Sequence, residues 1–355
     1  MKLGTTTLIP QNTALSGATK LILATNSGKQ MGKVQLGNLA MPDVGTKLYS
    51  FGAVSDIHLT KYDSEDDAMK DWRTALQYFN EIEKVDFTCV CGDLTTQGTA
   101  DNLAQYKTYV DTYSPNTPVY AIAGNHEAYD GSWGANSEET VKNLIQTYTG
   151  HPLYYSFEHC NDVFIMVGVC QDYANFGEGA LQWLYETLEL NRNKRCFVFQ
   201  HIRPDDACGN AYGIYKNDIW NGTQSVVFES LLKHYRNTIF FHGHSHLKFN
   251  LQTSNNLANI DTKYGKYSVH IPSLSVPRTG NLDGTGREEI YADSEGYVVD
   301  VYENHVVLRG RDFKNGVFIP IAQYCLDTTL QTIQAGTYKD ETGIIATQKH
   351  HKNNI

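Results

Sequence analysis

Five short blocks of the 355-residue chain carry side chains suited to holding metal ions. They are Asp56 and His58 in SDIHL, Asp93 in CGDLTTQG, Asn125 and His126 in AGNHE, His201 after a strand-like run, and His244 and His246 in HGHSH. Imidazole and carboxylate together suit divalent first-row metals such as Mn, Fe, Co, Ni and Zn. Any one block alone reads as an ordinary turn. Their recurrence, each at the end of a β-type run, points to one constellation. A two-residue spacing in extended chain sends both side chains the same way, which would pair Asp56 with His58 and His244 with His246. Gly92, Gly124 and Gly243 beside these blocks permit sharp turns and close backbone approach. Asp56, His58, Asp93, Asn125, His201, His244 and His246 are too many for one ion and suit two. A pair of ions ~3.5–4 Å apart activates water and neutralises a phosphoryl oxygen.

Strand–helix alternation supplies the elements that must position these blocks. Tyr49 to Ser55 reads as an apolar strand. Ala68, Trp72, Leu76, Phe79 and Ile82 recur at helical spacing behind Ser64 as N-cap. Further strands are expected at 87–91, 119–123, 154–157, 163–169, 196–200 and 238–242, with helices at 103–113, 138–148, 181–190 and 226–235. The pattern then turns all-β at 267–271, 297–302 and 306–309. Such alternation predicts layered α/β architecture with a mixed sheet, its site at the carboxyl ends of strands. Residues 20–25 and 32–36 flank a turn at Asn26-Ser27-Gly28 and read as a small hairpin, either docked on the main domain or used for attachment. The tail from Phe313 is weakly patterned, and 349–355 is expected to fray.

The five blocks, in this order, resemble the D-x-H, G-D, G-N-H-[DE], H and G-H-x-H pattern of the calcineurin-like metallophosphoesterases. The resemblance spans roughly 200 residues, from Asp56 to His246. It implies that Asp56, His58 and His246 hold one metal, that Asn125, His201 and His244 hold the other, and that Asp93 bridges both. His126 takes the place of the family's histidine that contacts phosphate and helps protonate the leaving oxygen. A metal-bridging hydroxide is the implied nucleophile. Family Ser/Thr phosphatases carry an Arg soon after G-D, and Leu94 to Gly98 contains none. Purple acid phosphatases carry a metal-binding Tyr three residues after the bridging Asp, where this chain has Thr96. The expectation is therefore a dimetal phosphodiesterase acting on a small phosphate ester, its substrate-binding residues unassigned. The competing readings are a metal-dependent nuclease and a phage structural or attachment protein built on this fold and associated with the virion. The expected architecture is a layered α/β/β/α sandwich with mixed sheets, divided as 1–47 (N-terminal β module), 48–312 (catalytic domain) and 313–355 (C-terminal extension).

Composition narrows the partners. The chain has 29 basic and 39 acidic side chains, a net charge of −10, which disfavours gripping long nucleic acid through its phosphates. The longest strongly apolar run, 163–170, is far short of a membrane span, and the amino terminus lacks a signal-like apolar stretch, so a cytoplasmic protein is expected. Seven scattered cysteines read as buried free thiols. Glu127 is expected to orient an imidazole and His242 to end a strand without binding metal, while Arg278, in the Pro277-Arg278-Thr279-Gly280 turn, reads as a surface arginine in preference to one that reaches a phosphate. The stretch from Arg203, Asp205 and Asp206 through Asn210, Tyr212, Tyr215 and Trp220 to Gly222 reads equally as solvated loop or as a specificity wall. Asn221-Gly222-Thr223 matches a glycosylation pattern by chance.

Overall fold

The computed structural model describes residues 6–7, 20–24, 30–35, 44–170, 175–204, 206–209, 223–251, 258–280 and 287–330. In chain order its strands are β1 (Thr6–Thr7), β2 (Lys20–Ala24), β3 (Gln30–Gln35), β4 (Lys47–Val54), β5 (Phe87–Cys91), β6 (Val119–Ile122), β7 (Tyr154–His159), β8 (Asp162–Val167) and β9 (Cys196–Gln200). They continue as β10 (Thr238–His242), β11 (Ile260–Asp261), β12 (Tyr267–His270), β13 (Arg278–Gly280), β14 (Arg287–Glu289), β15 (Glu295–Tyr302), β16 (His305–Asp312) and β17 (Val317–Asp327). The helices are α1 (Asp67–Gln77), α2 (Ala100–Tyr113), α3 (Glu138–Thr149), α4 (Ala180–Leu190) and α5 (Thr223–His234).

Two mixed sheets stack face to face. One runs β1-β17-β16-β15-β4-β5-β6 and the other β11-β12-β10-β9-β8-β7. Strands β4, β5 and β6 are parallel to one another, as are β8, β9, β10 and β12. The two-residue period of a strand explains the stacking. Tyr49, Phe51 and Ala53 of β4 point into the layer between the sheets, where they meet Phe164, Phe199, Phe241 and Tyr297. Val54 points outward to the layer containing α1, α2 and α3, with Trp72, Leu76, Leu103 and Ile145. On the second sheet's outer face Leu184, Leu188, Phe228 and Leu231 of α4 and α5 cover Ile165, Val198 and Phe240. The layering is α/β/β/α, as expected.

Three local expectations change. Helix α1 is capped by Asp66, not Ser64: Asp66 is extended, and its carboxylate accepts the Met69 N–H at 2.8 Å. Ile82 is 70% exposed rather than packed. The chain widens into a π-helical turn over Tyr78–Glu83 and stops at left-handed Lys84, which rotates Ile82 off the apolar stripe. The supposedly weak tail contains β17, which pairs with β16 and sends Ala322, Tyr324 and Leu326 into the central core. The expected boundary at 312 thus falls in the turn between two strands of one sheet. Strand β1 also pairs with β17, and β2 and β3 form the expected N-terminal hairpin. Residues 331–355 lie outside the described residues. All seven cysteines are free; six are buried, and Cys160 is exposed in the turn between β7 and β8. No helix among the described residues is long and apolar enough to cross a membrane.

Candidate metal centre

Every predicted ligand block lies just past the carboxyl end of a parallel strand. Asp56 and His58 follow β4, Asp93 follows β5, Asn125 and His126 follow β6, His201 follows β9, and His244 and His246 follow β10. Three of these strands belong to one sheet and two to the other, so the centre spans the seam at one end of the sandwich. Backbone bonds lace the loops together. Ile57 N–H donates to Asp93 O (2.8 Å), Gly243 N–H to His201 O (3.0 Å), and His244 N–H to Asp56 Oδ2 (3.1 Å).

The backbone does something that spacing did not foretell. Asp56, His58, Asp93, His244 and His246 all adopt left-handed conformations, with φ of 55°, 52°, 51°, 69° and 59°. Such residues cost on the order of 1–3 kcal/mol each and persist only where surroundings enforce them. The paired side chains of D-x-H and H-x-H therefore converge through left-handed turns beyond the strand ends, not through strand alternation. Two glycines make room. Gly92 has φ +86°, and a Cβ there would sit 2.7 Å from the His201 ring. A Cβ on Gly124 would lie 2.2 Å from Asp93 Oδ1.

The side chains gather into two overlapping groups that share Asp93. Ligand atoms of Asp56, His58, Asp93 and His246 lie within 4.8 Å of one another, and so do those of Asp93, His201 and His244. His246 Nε2 is 3.0 Å from Asp56 Oδ1 and 3.0 Å from His58 Nε2, while His201 Nε2 is 3.1 Å from Asp93 Oδ2. Asn125 is buried beside them, and its Oδ1 has no hydrogen-bond partner among the described residues. His126 stands off, Nε2 3.9 Å from Asp93 Oδ2, and its own N–H donates to Asp93 Oδ1. Its Nδ1 lies 2.7 Å from Thr96 O, and a carbonyl only accepts, so Nδ1 carries hydrogen and Nε2 faces the opening.

The donor set fits divalent cations on charge as well as type. His201 Nδ1 donates to Cys91 O (2.7 Å) and His246 Nδ1 to Val276 O (3.1 Å), which turns both Nε2 atoms toward the carboxylates. Burial holds His246 down to about 4 despite Asp56, and burial also lowers His58 and His244. At neutral pH, lone pairs of these imidazoles thus face carboxylates at close range, an arrangement a cation satisfies. His201 differs: burial opposes its charge, but Asp93 and Asp56 outweigh that and push it up to about 9. Burial works against Asp93 as well, yet His201 and the other imidazoles keep its carboxyl below the usual range.

Several residues were placed wrongly or missed. Glu127 orients no imidazole. Its carboxylate accepts from the N–H of Thr95 (2.8 Å) and of Gly124 (2.8 Å), tying the loop after β5 to the loop after β6. Arg278, expected on the surface, lines the cleft above the centre with Tyr129, Trp133 and Tyr291; the cleft encloses ≈ 890 Å³. Only the order G-N-H-E hinted at Glu127; the turn at Pro277-Arg278-Thr279-Gly280 offered Arg278 as the weaker of two readings, and no local signal marked Tyr129, Trp133 or Tyr291, which come from loops distant in sequence. His242 ends β10 as expected, buried 3.5 Å from Cys208 Sγ and outside both ligand groups. Arg203 is buried and Asp206 bonds Tyr264 (2.5 Å); neither lines the cleft. Asp205 and residues 210–222, including Asn210, Tyr212, Tyr215, Trp220, Asn221 and Gly222, lie outside the described residues.

The chain belongs to the calcineurin-like phosphoesterase family, whose model matches residues 49–248, more than half of its length. No curated protein matches it. Among solved structures it is similar to a purple acid phosphatase from yellow lupin (Lupinus luteus) seeds, with a TM-score of 0.53 and 14% identity over 87% of this chain. The match spans 59% of the lupin chain, and at that identity the likeness is one of fold. A conserved uncharacterised protein from Streptococcus pneumoniae, described as a predicted phosphoesterase, matches with a TM-score of 0.35 and 12% identity, covering 79% of this chain and 97% of that one.

Proposed function

We propose that the protein hydrolyses small phosphate diesters with two divalent cations drawn from Mn, Fe, Co, Ni and Zn. The observation that carries this reading is the convergence of buried carboxylate oxygens and imidazole nitrogens in two groups that share Asp93. In this reading Asp56, His58 and His246 hold one ion, Asn125, His201 and His244 hold the other, and Asp93 serves both. When bound, the ions lower the pKa of water and offset charge on the phosphoryl oxygens. His126 is fixed by Thr96 O, so its Nε2 can carry a proton to the departing oxygen. Arg278 lines the same cleft as His246 and would attract the phosphoryl group. It is the only Lys or Arg lining the cleft among the described residues, and Asp66 and Asp67 line it too. That balance suits a singly charged diester better than a dianionic monoester or a polymer of phosphates.

The test is a hydrolysis screen with added Mn²⁺, comparing bis-nitrophenyl phosphate, nitrophenyl phosphate and single-stranded DNA. Metal-dependent turnover, fastest on the diester, is expected. Faster turnover of the monoester would reassign the preference, and absence of metal-dependent turnover on all three would contradict the reading.

A further inference from the structure

The cleft over the metal centre is larger than a phosphate requires, and the wall beside His126 is aromatic. Tyr129 and Trp133 line it there, their rings 5.7 Å apart between centroids. The Trp133 ring is also 6.0 Å from that of His126 and nearly perpendicular to it. Trp133 is 59% exposed, so most of an apolar indole faces water. Its backbone is strained as well, with φ of +63°, an outlier for so bulky a residue.

The strained turn is tightly held. The Asp130 carboxylate accepts from Ser132 N–H and Gly134 N–H, both at 2.7 Å. Trp133 N–H donates to Asp130 O (3.1 Å), Asp130 N–H to Gly134 O (2.8 Å), and Tyr129 bridges Ala135 across the turn. A solvated surface loop has no need of this. The turn keeps a large ring out of the core and fixes it at the lip of the cleft. Aromatic side chains presented this way stack on planar rings, and all nucleobases offer a suitable face. The position matters too: the ring adjoins the histidine that serves the leaving oxygen.

We infer that Tyr129 and Trp133 form a subsite for a planar aromatic ring carried by the leaving group, so that the substrates are small nucleoside phosphate esters. The inference rests on the proposed hydrolase reading for its account of which side the leaving group occupies. The stacking surface itself does not depend on turnover.

The experiment uses the full chain loaded with Mn²⁺ and two compounds that differ only in the base, adenosine 5′-monophosphate and ribose 5-phosphate, each also as its methyl diester. Because the 5′-oxygen is common to both, leaving-group reactivity cancels. The ratio of kcat/KM for the nucleoside compound to that for the sugar compound should be on the order of 10 in the wild type. It should fall toward 1 in Trp133→Ala and be largely kept in Trp133→Phe. A ratio near 1 in the wild type, or one that Trp133→Ala leaves unmoved, would overturn the subsite. If neither compound is turned over, the hydrolase reading fails separately, and calorimetric binding decides the subsite. Adenosine monophosphate binding several-fold tighter than ribose phosphate, with the difference lost in Trp133→Ala, supports it; equal binding, or no binding, overturns it.

Discussion

The two ends of the sandwich treat buried carboxylates in opposite ways. At the amino-terminal end of β8, Asp162 receives Arg195 Nε (3.0 Å) and Nη2 (2.5 Å) in a fork and the Tyr49 hydroxyl (2.6 Å). Arg195 Nη1 goes on to Tyr302 O (2.8 Å) and Thr328 Oγ1 (2.9 Å). The charge is closed by a fixed cation from the chain itself. At the carboxyl ends of β4 and β5, Asp56 and Asp93 are equally buried, yet among the described residues neither pairs with Lys or Arg. Their ion-pair neighbours are the imidazoles of His58, His126, His201 and His246, of which His58 and His246 sit on left-handed turns. One end is complete as protein. The other is a negative pocket rimmed with neutral or titrating nitrogens, which a buried site sustains only if cations or protons occupy it. The centre is therefore built for exchangeable positive charge, and the Asp162–Arg195 end for permanent structure.

That contrast can be broken most forcefully at the structural end. Asp162→Ala would strand the Arg195 guanidinium and should lower stability by about 3–5 kcal/mol. Thermal melts with and without Mn²⁺ should show the same loss, because this pair does not communicate with metal binding. A loss that Mn²⁺ rescues would blur the distinction between the ends.

At the centre, His126→Ala should keep its metals and lose about 10²–10⁴ in rate. The loss should be greater on an alkyl ester than on a nitrophenyl ester, because a poor alkoxide needs the proton more. Equal losses on both would leave His126 only an electrostatic or positioning part. Loss of metal would make it a ligand.

A third carboxylate refines the comparison. Asp71 on α1 is buried 3.7 Å from Lys314, and burial, with help from Asp67 and Asp312, pushes it up to about 7. Its folded-state pKa exceeds the ordinary value, so the folded protein binds the extra proton. The associated stability is present below about pH 4 and is lost as pH rises toward about 7. Asp71→Asn should flatten that slope and raise stability at pH 8 by about 1–3 kcal/mol, read from melts at pH 4 and pH 8. A variant less stable at pH 8 than the wild type would mean that the Lys314 contact outweighs burial.

The grouping of the candidate ligand blocks was legible because metal chemistry needs particular residue types and parallel strands deliver them at predictable places. The strands and helices flanking them were legible from periodicity. The geometry that makes the blocks converge was not. Left-handed φ at Asp56, His58, Asp93, His244 and His246 leaves no mark in a sequence where those residues are already explained as ligands. Glu127 was misread because its partners are backbone N–H groups, which every residue has. β17 was missed because Pro320 interrupts its alternation and its pairing with β16 shifts register between Arg309 and Arg311. Trp133 and Arg278 became neighbours of the centre only through tertiary folding.

The central claim is that Asp93 makes two cation positions into one centre. Equilibrium dialysis against Mn²⁺ or Zn²⁺, followed by elemental analysis, tests it most directly on the wild type and Asp93→Ala. The account predicts two ions per wild-type chain and fewer than two in the variant, with activity falling by more than the about 10–100-fold typical of disturbing a ligand's support. Two tightly held ions in Asp93→Ala, or none in the wild type, would contradict it.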